Sequence, residues 1–203
     1  LEFTFSNKRY LLPGEMEDRD KKTGEDNLLQ PEDPASNTSN SENANQVSGA
    51  SIASPLVDGR GPALGYHVPR IFDKIIDIKE CYLMDEVNNR IRNSMRAFAL
   101  QQGYSFYDIR QHTGWLRNII IRYCTTGELM VNVCLNYDED NDRIALLDDL
   151  LLQVPEITTL FYTINPKWND SIYDLTPQLY FGKGFVVEKL EDFEFIISPK
   201  SFF

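Results

Sequence analysis

Apolar residues recur along this chain in two rhythms, one of period two and one near three and a half, and each predicts its own element. In EFTFSNKRY (2–10), Phe3 and Phe5 alternate with Thr4 and Ser6, which predicts a half-buried strand ended by Pro13 and Gly14. Ile71, Phe72, Ile75, Ile76 and Ile78 give a second strand-like run. From Leu83 the rhythm changes. Leu83, Val87, Ile91, Met95 and Phe98 are spaced by four and then three, which places them on one helical face. Arg90, Arg92 and Arg96 then fall on the flanks or the opposite face, and Gly103 stops the helix. RNIIIRYC (117–124) and ELMVNVCL (128–135), separated by Thr-Thr-Gly, predict a hairpin. A loop over 125–128 would set Leu129 opposite Cys124. Ile144, Leu147, Leu150 and Leu151 mark a short amphipathic helix, and ITTLFYTI (157–164) another strand, so this segment is expected to form a right-handed crossover. Three short strands follow at 179–181, 185–188 and 193–197. The fold class expected is α+β, a largely antiparallel sheet flanked by two or three helices in a single domain.

Residues 15–62 follow neither rhythm. The stretch ASNTSNSENANQ holds no apolar residue larger than Ala, so burial there cannot offset the entropy lost on ordering. Residues 1–14 and 63–203 are therefore expected to build one domain, with 15–62 an acidic, low-complexity, disordered insertion. No run approaches eighteen apolar residues and no signal-peptide pattern opens the chain, so no membrane partner is expected. Three cysteines without regular spacing predict free thiols in a reducing, cytoplasmic setting. A monomer is expected. The chain starts at Leu1 and stops at Phe203 within patterned sequence, which reads as a piece of a longer protein.

The formal net charge of -11 argues against a nucleic-acid partner. The average hides a local reversal, because residues 90–122 hold six arginines against only Asp108. Arg110, Arg117 and Arg122 are the best ligand-facing candidates, with Tyr104, Phe106, Tyr107 and Trp115 interleaved. Guanidinium groups bind phosphate in a bidentate manner, and arginine with aromatics suits looped RNA. Surface salt bridges to the surplus acids account for the same residues equally well.

Other groups carry less. Cys81 is either a small buried residue at a strand–helix junction or a metal ligand, and one thiolate cannot hold an iron–sulfur cluster. Cys124 and Cys134 read as packing residues. His67 and His112 are the only histidines, and His112 beside Asp108 reads as a polar loop residue without a nucleophile nearby. Asp138, Glu139, Asp140 and Asp142 lack the glycine turn and terminal glutamate of a calcium loop and read as a solvated helix start. With no glycine-rich phosphate loop, no HExxH and no CxxC, the chain reads as non-catalytic by its own residues.

Four segments in order, EFTFSNKRY (2–10), LGYHVPRIFDKIIDIKECYL (64–83), GWLRNIIIR with the following GELMV (114–131), and FIISPKSFF (195–203), resemble the folate-independent RNA uracil-C5 methyltransferases, the TrmA/RumA group. The resemblance covers most of the chain outside 15–62 and implies the central domain of such an enzyme, which helps position folded rRNA or tRNA. It implies that Cys81 matches the fourth cysteine of the family's [4Fe–4S] site, whose other three lie upstream and outside this chain, so no cluster is expected here. It implies that Phe202 holds the aromatic position before a substrate-contacting glutamine that is not present. The S-adenosylmethionine site, the catalytic cysteine and the general-base glutamate are expected downstream, which leaves this piece inactive alone. In the parent, a thiolate would add to C6 of a uracil, C5 would take the methyl group of S-adenosylmethionine, and a carboxylate would remove the C5 proton. The other reading is an acidic protein-interaction module without RNA contact.

Overall fold

A computed structural model describes residues 1–12, 15 and 61–201. The expected insertion at 15–62 and the aromatic Phe202 therefore lie outside the described residues, apart from Glu15, Gly61 and Pro62. The body formed by Leu1–Tyr10 and Gly59–Phe203 carries the fold.

Its centre is the first predicted strand, β1 (Glu2–Ser6), in which Phe3 and Phe5 are buried on one face. β1 lies antiparallel between β3 (Ala63–Val68) and β5 (Leu116–Tyr123). With β2 (Arg9–Tyr10), β4 (Ile71–Asp77), β6 (Leu129–Leu135), β7 (Thr159–Ile164) and β8 (Gln178–Gly182), the described sheet runs β2-β4-β3-β1-β5-β6-β7-β8. Only the β2–β4 and β6–β7 pairs within it are parallel. The single apolar run expected at 71–78 is thus half of a hairpin, since Ala63–Val68 pairs with it through a turn at Pro69 and Arg70.

α1 (Glu86–Gln102) and α2 (Asp140–Gln153) cover one face. Val87, Ile91, Met95 and Ala99 of α1, with Leu146, Leu147 and Leu150 of α2, pack on Phe3, Leu64, Ile119 and Val133. Each fully buried side chain of this kind contributes roughly 1.5–3 kcal/mol. Gly103 ends α1 in the left-handed region (φ 72°), as expected. Leu83 is 79% exposed and lies before the helix, so the apolar face begins at Val87. α2 bridges the parallel strands β6 and β7, the expected strand–helix–strand segment. At the β5–β6 turn Tyr123, not Cys124, stands opposite Leu129, because Cys124 N–H instead closes a three-residue loop on the Glu128 carbonyl at 2.9 Å.

On the other face a separate hairpin, β9 (Val186–Leu190) with β10 (Phe193–Ile197), sets Val186 and Ile197 against Cys124, Met130 and Phe161. No helix among the described residues is long and apolar enough to cross a membrane.

Candidate nucleic-acid interface

The segment between α1 and β5 is polar, and one carboxylate organises it. Asp108 is 3% exposed and accepts from Lys8 Nζ at 2.9 Å, Asn7 Nδ2 at 3.2 Å, Arg110 N at 2.8 Å and Gln111 N at 3.1 Å. Burial alone would raise its pKa. Hydrogen bonds, led by that from Lys8, overcome burial and bring it down to about 2. The turn this creates closes at Gly114 (φ 99°), where an added Cβ would sit 2.3 Å from the Phe106 carbonyl oxygen, so only glycine fits. His112 also takes a positive φ of 55°, and its N–H donates to the Asp108 carbonyl at 2.7 Å.

The three arginines meet different fates. Arg110 is 57% exposed at its side chain; its Nε donates to Asp73 at 2.5 Å and its guanidinium lies 5.1 Å from the centre of the exposed Phe72 ring. That hydrogen bond holds the Asp73 carboxyl below its usual range. Arg117 is 1% exposed. It donates to the carbonyls of Asn165 (2.9 Å), Lys167 (2.5 Å) and Asn169 (3.1 Å) and to Asp170 Oδ1 (2.8 Å), with its guanidinium 4.1 Å from the Tyr107 ring centre. Arg122 is half-buried and donates to the Pro199 carbonyl at 3.0 Å.

The segment that Arg117 grips presents Trp168, which is 75% exposed. Its ring stacks on His112 with centroids 4.6 Å apart and planes within 6°. His112 Nδ1 and the Tyr107 hydroxyl share a hydrogen bond of 3.1 Å. A narrow cleft is lined by Phe72 and Asp73 of β4, by the Arg117–Asp170 pair, and also by Tyr107 and Ile109.

This fold has relatives of known naming. A protein of Bacteroides thetaiotaomicron described as an uncharacterized RNA methyltransferase is 38% identical over 206 aligned residues, which take in 100% of this chain and 37% of the relative. One of Porphyromonas gingivalis with the same description is 37% identical, again over 100% of this chain and 37% of its own length. The chain belongs with these RNA methyltransferases. It spans little more than a third of their length. Among solved structures, the Pyrococcus abyssi tRNA (uracil-54, C5)-methyltransferase in complex with S-adenosyl-L-homocysteine shares the fold at a TM-score of 0.56. That match is 24% identical and covers 70% of this chain and 33% of the archaeal one. No protein-family model matches the chain.

Against this methyltransferase scaffold, several sequence expectations are corrected. Arg117 does not face a ligand; it is consumed by four partners of its own chain. Trp115 is 3% exposed and donates Nε1–H to the Tyr137 carbonyl at 3.0 Å, so its ring faces are core surface. Phe106 and Tyr107 are buried as well. Arg92, expected on a flank or outer face of α1, is 0% exposed, lies 4.6 Å from the Phe3 ring centre and donates to the Ile78 carbonyl at 2.6 Å. Arg96 likewise donates to the Leu64 and Ile78 carbonyls at 2.9 and 2.7 Å and pairs with Asp77. In each case a long side chain buries its stem and satisfies its head on strand-end carbonyls.

Cys81 is buried, its N–H on Asn89 Oδ1 at 2.8 Å and its Sγ 4.0 Å from the Tyr66 hydroxyl. No group of three or more His, Cys, Asp or Glu side chains that could hold a metal ion exists among the described residues. The described residues thus offer no ligand set for an iron–sulfur cluster around the Cys81 thiol. Cys124 and Cys134 are packing residues: burial first, then Glu188 and Glu128, push the Cys124 thiol up to about 11, and burial also raises that of Cys134. Of the acids at 138–142, Asp138 and Asp140 pair with Arg143 at the start of α2.

Sequence reading missed two residues of this surface, Trp168 and the open face of Phe72. The signal for Trp168 was present as a lone large aromatic in the polar run NPKWNDS (165–171) with no apolar rhythm around it. Phe72 was read as part of an apolar run, yet Lys74, two residues on and so on the same strand face, already marks that face as exposed, while Asp73 turns inward.

Proposed function

We propose that this chain is the central, RNA-docking part of an S-adenosylmethionine-dependent methyltransferase that acts on C5 of a uridine in tRNA or rRNA. The observation that carries the reading is the alignment of the whole chain with proteins described as RNA methyltransferases, at up to 38% identity. The uracil-C5 specificity draws support from the shared fold of the archaeal tRNA (uracil-54, C5)-methyltransferase and from the ordered segments of the sequence itself. The methyl donor would bind in the remaining two thirds of the full-length protein, where it supplies the methyl group. This chain contributes docking: an exposed guanidinium at Arg110, able to take a phosphate in a bidentate manner, beside an exposed Phe72 ring. Binding energy gathered here helps offset the roughly few kcal/mol needed to unstack the target base. We place the protein in the cytoplasm as a monomer, in keeping with three free, buried thiols.

The test is methyl transfer by the full-length protein. Incubated with labelled S-adenosylmethionine and unmodified tRNA or rRNA transcripts, it should yield 5-methyluridine on nuclease digestion. Label on another base would contradict the uracil-C5 reading, and no label would favour an acidic protein-interaction module.

A further inference from the structure

We propose that the open face of Trp168 is a stacking platform for an unpaired base of the RNA, with His112 and Arg117 as the positioning residues that hold it. This rests on the docking role proposed above and adds to it a specific subsite.

Trp168 is 75% exposed, so its ring contributes little to the burial that stabilises the fold. It is nonetheless held firmly. One face lies flat on the His112 imidazole at 4.6 Å. That imidazole is fixed in turn by the Tyr107 hydroxyl and by its own backbone bond to Asp108. The backbone on both sides of Trp168 is clamped by Arg117 through the carbonyls of Lys167 and Asn169. Further bonds within the turn, Asn165 Nδ2 to Asn169 O at 2.9 Å and Lys167 N to Asn165 Oδ1 at 3.1 Å, fix its shape. An ordered aromatic with one face covered and one face open has little ordering entropy left to lose on binding.

The chemistry of the ligand follows from the surface. A flat π face stacks any base, and the base must be unpaired to reach it. Arg110 stands on the Phe72–Asp73 wall of the same narrow cleft whose other wall, Arg117 and Asp170, supports the Trp168 turn. A guanidinium and an aromatic plane are the two kinds of group that the phosphate and the base of a single strand call for. An exposed indole serving a protein partner would not need that neighbouring phosphate binder.

The experiment uses the full-length protein with unmodified tRNA and rRNA transcripts, comparing the parent with Trp168→Ala and Trp168→Phe. Trp168→Ala should weaken RNA binding about ten- to a hundred-fold, the loss of one stacked base, without changing the salt dependence, since no phosphate contact is removed. Trp168→Phe should restore most of the affinity. The thermal midpoint and S-adenosylmethionine binding should stay at parental values in both. Parental RNA affinity in Trp168→Ala would overturn the platform while leaving the uracil-C5 reading intact. Equal losses in Trp168→Ala and Trp168→Phe would overturn stacking as the cause, and a fall in thermal midpoint or donor binding would assign Trp168 to a contact within the protein instead. A parent that binds neither transcript would overturn both proposals.

Discussion

The two sides of the central sheet solve different problems. On the helix-covered side, Phe3, Leu64, Ile91, Ile119, Val131 and Val133 are all 0% exposed, and the layer between sheet and helices is mainly apolar, with Arg92 lying buried against Phe3. On the opposite side Asn118, Asn132 and Thr163 are equally buried, with Thr163 Oγ1 donating to Asn132 Oδ1 at 2.9 Å. There, turns and a hairpin replace helices, and large aromatics such as Trp168 and Phe72 stand open. The first side stabilises by area removed from water, which is non-directional. The second depends on directional bonds that fix loops in place, which is what presenting a recognition surface requires. Arg110 and Arg117, seven residues apart in sequence, show the division within one segment: the latter holds backbone and the former meets solvent.

Substitutions should separate these sides, beginning with the largest effect. Ile91→Ala, beneath α1, should destabilise by roughly 2–5 kcal/mol in urea unfolding, through lost transfer energy and a residual cavity. Arg117→Met should cost about 3 kcal/mol, because it strands three carbonyls and the Asp170 carboxylate. Unlike Ile91→Ala, it should also release the Trp168 turn, read as loss of the near-ultraviolet dichroism of that indole. Were Arg117→Met to leave both stability and Trp168 untouched, the clamp would be no clamp.

Acid should act on the loop side first. The Asp108 pKa falls from 3.8 to about 2 on folding, so its contribution is fully present above about pH 4 and is lost as pH drops through about 2. The linkage is worth about 2 kcal/mol. Asp108→Asn should flatten the stability profile between pH 4 and pH 2, and an unchanged slope would remove Asp108 as the anchor. The smallest stability effect belongs to Arg110→Ala, whose exposed pair with Asp73 is screened by solvent. Its RNA affinity should nevertheless fall, with the salt slope shallower by about one.

Much of the fold was legible because periodicity reports which face is buried. Val87, Ile91 and Met95 name the inner stripe of α1, and Leu129, Val131 and Val133 name the inner face of β6. Strand order was not legible, since β1 pairs with β3 across an intervening segment most of which, residues 15–62, carries no rhythm. The surface was harder still. Six arginines in 90–122 suggested one basic face, yet Arg92 and Arg117 point inward to carbonyls and Arg90 pairs with Glu156. A count of charges cannot tell a guanidinium that faces solvent from one that caps a strand end. Trp115, expected to meet RNA, and Trp168, given no role by the sequence, part for a similar reason: the first has its N–H satisfied by Tyr137 and packs inside, whereas the second lies exposed on a histidine ring.

The most direct measurement is amide hydrogen exchange of the full-length protein with and without an unmodified RNA transcript. Slower exchange across 104–115 and 165–175, with α1 and α2 unchanged, is the predicted result. Protection confined to the helices, or no difference anywhere in this chain, would contradict RNA docking on the loop-bearing side.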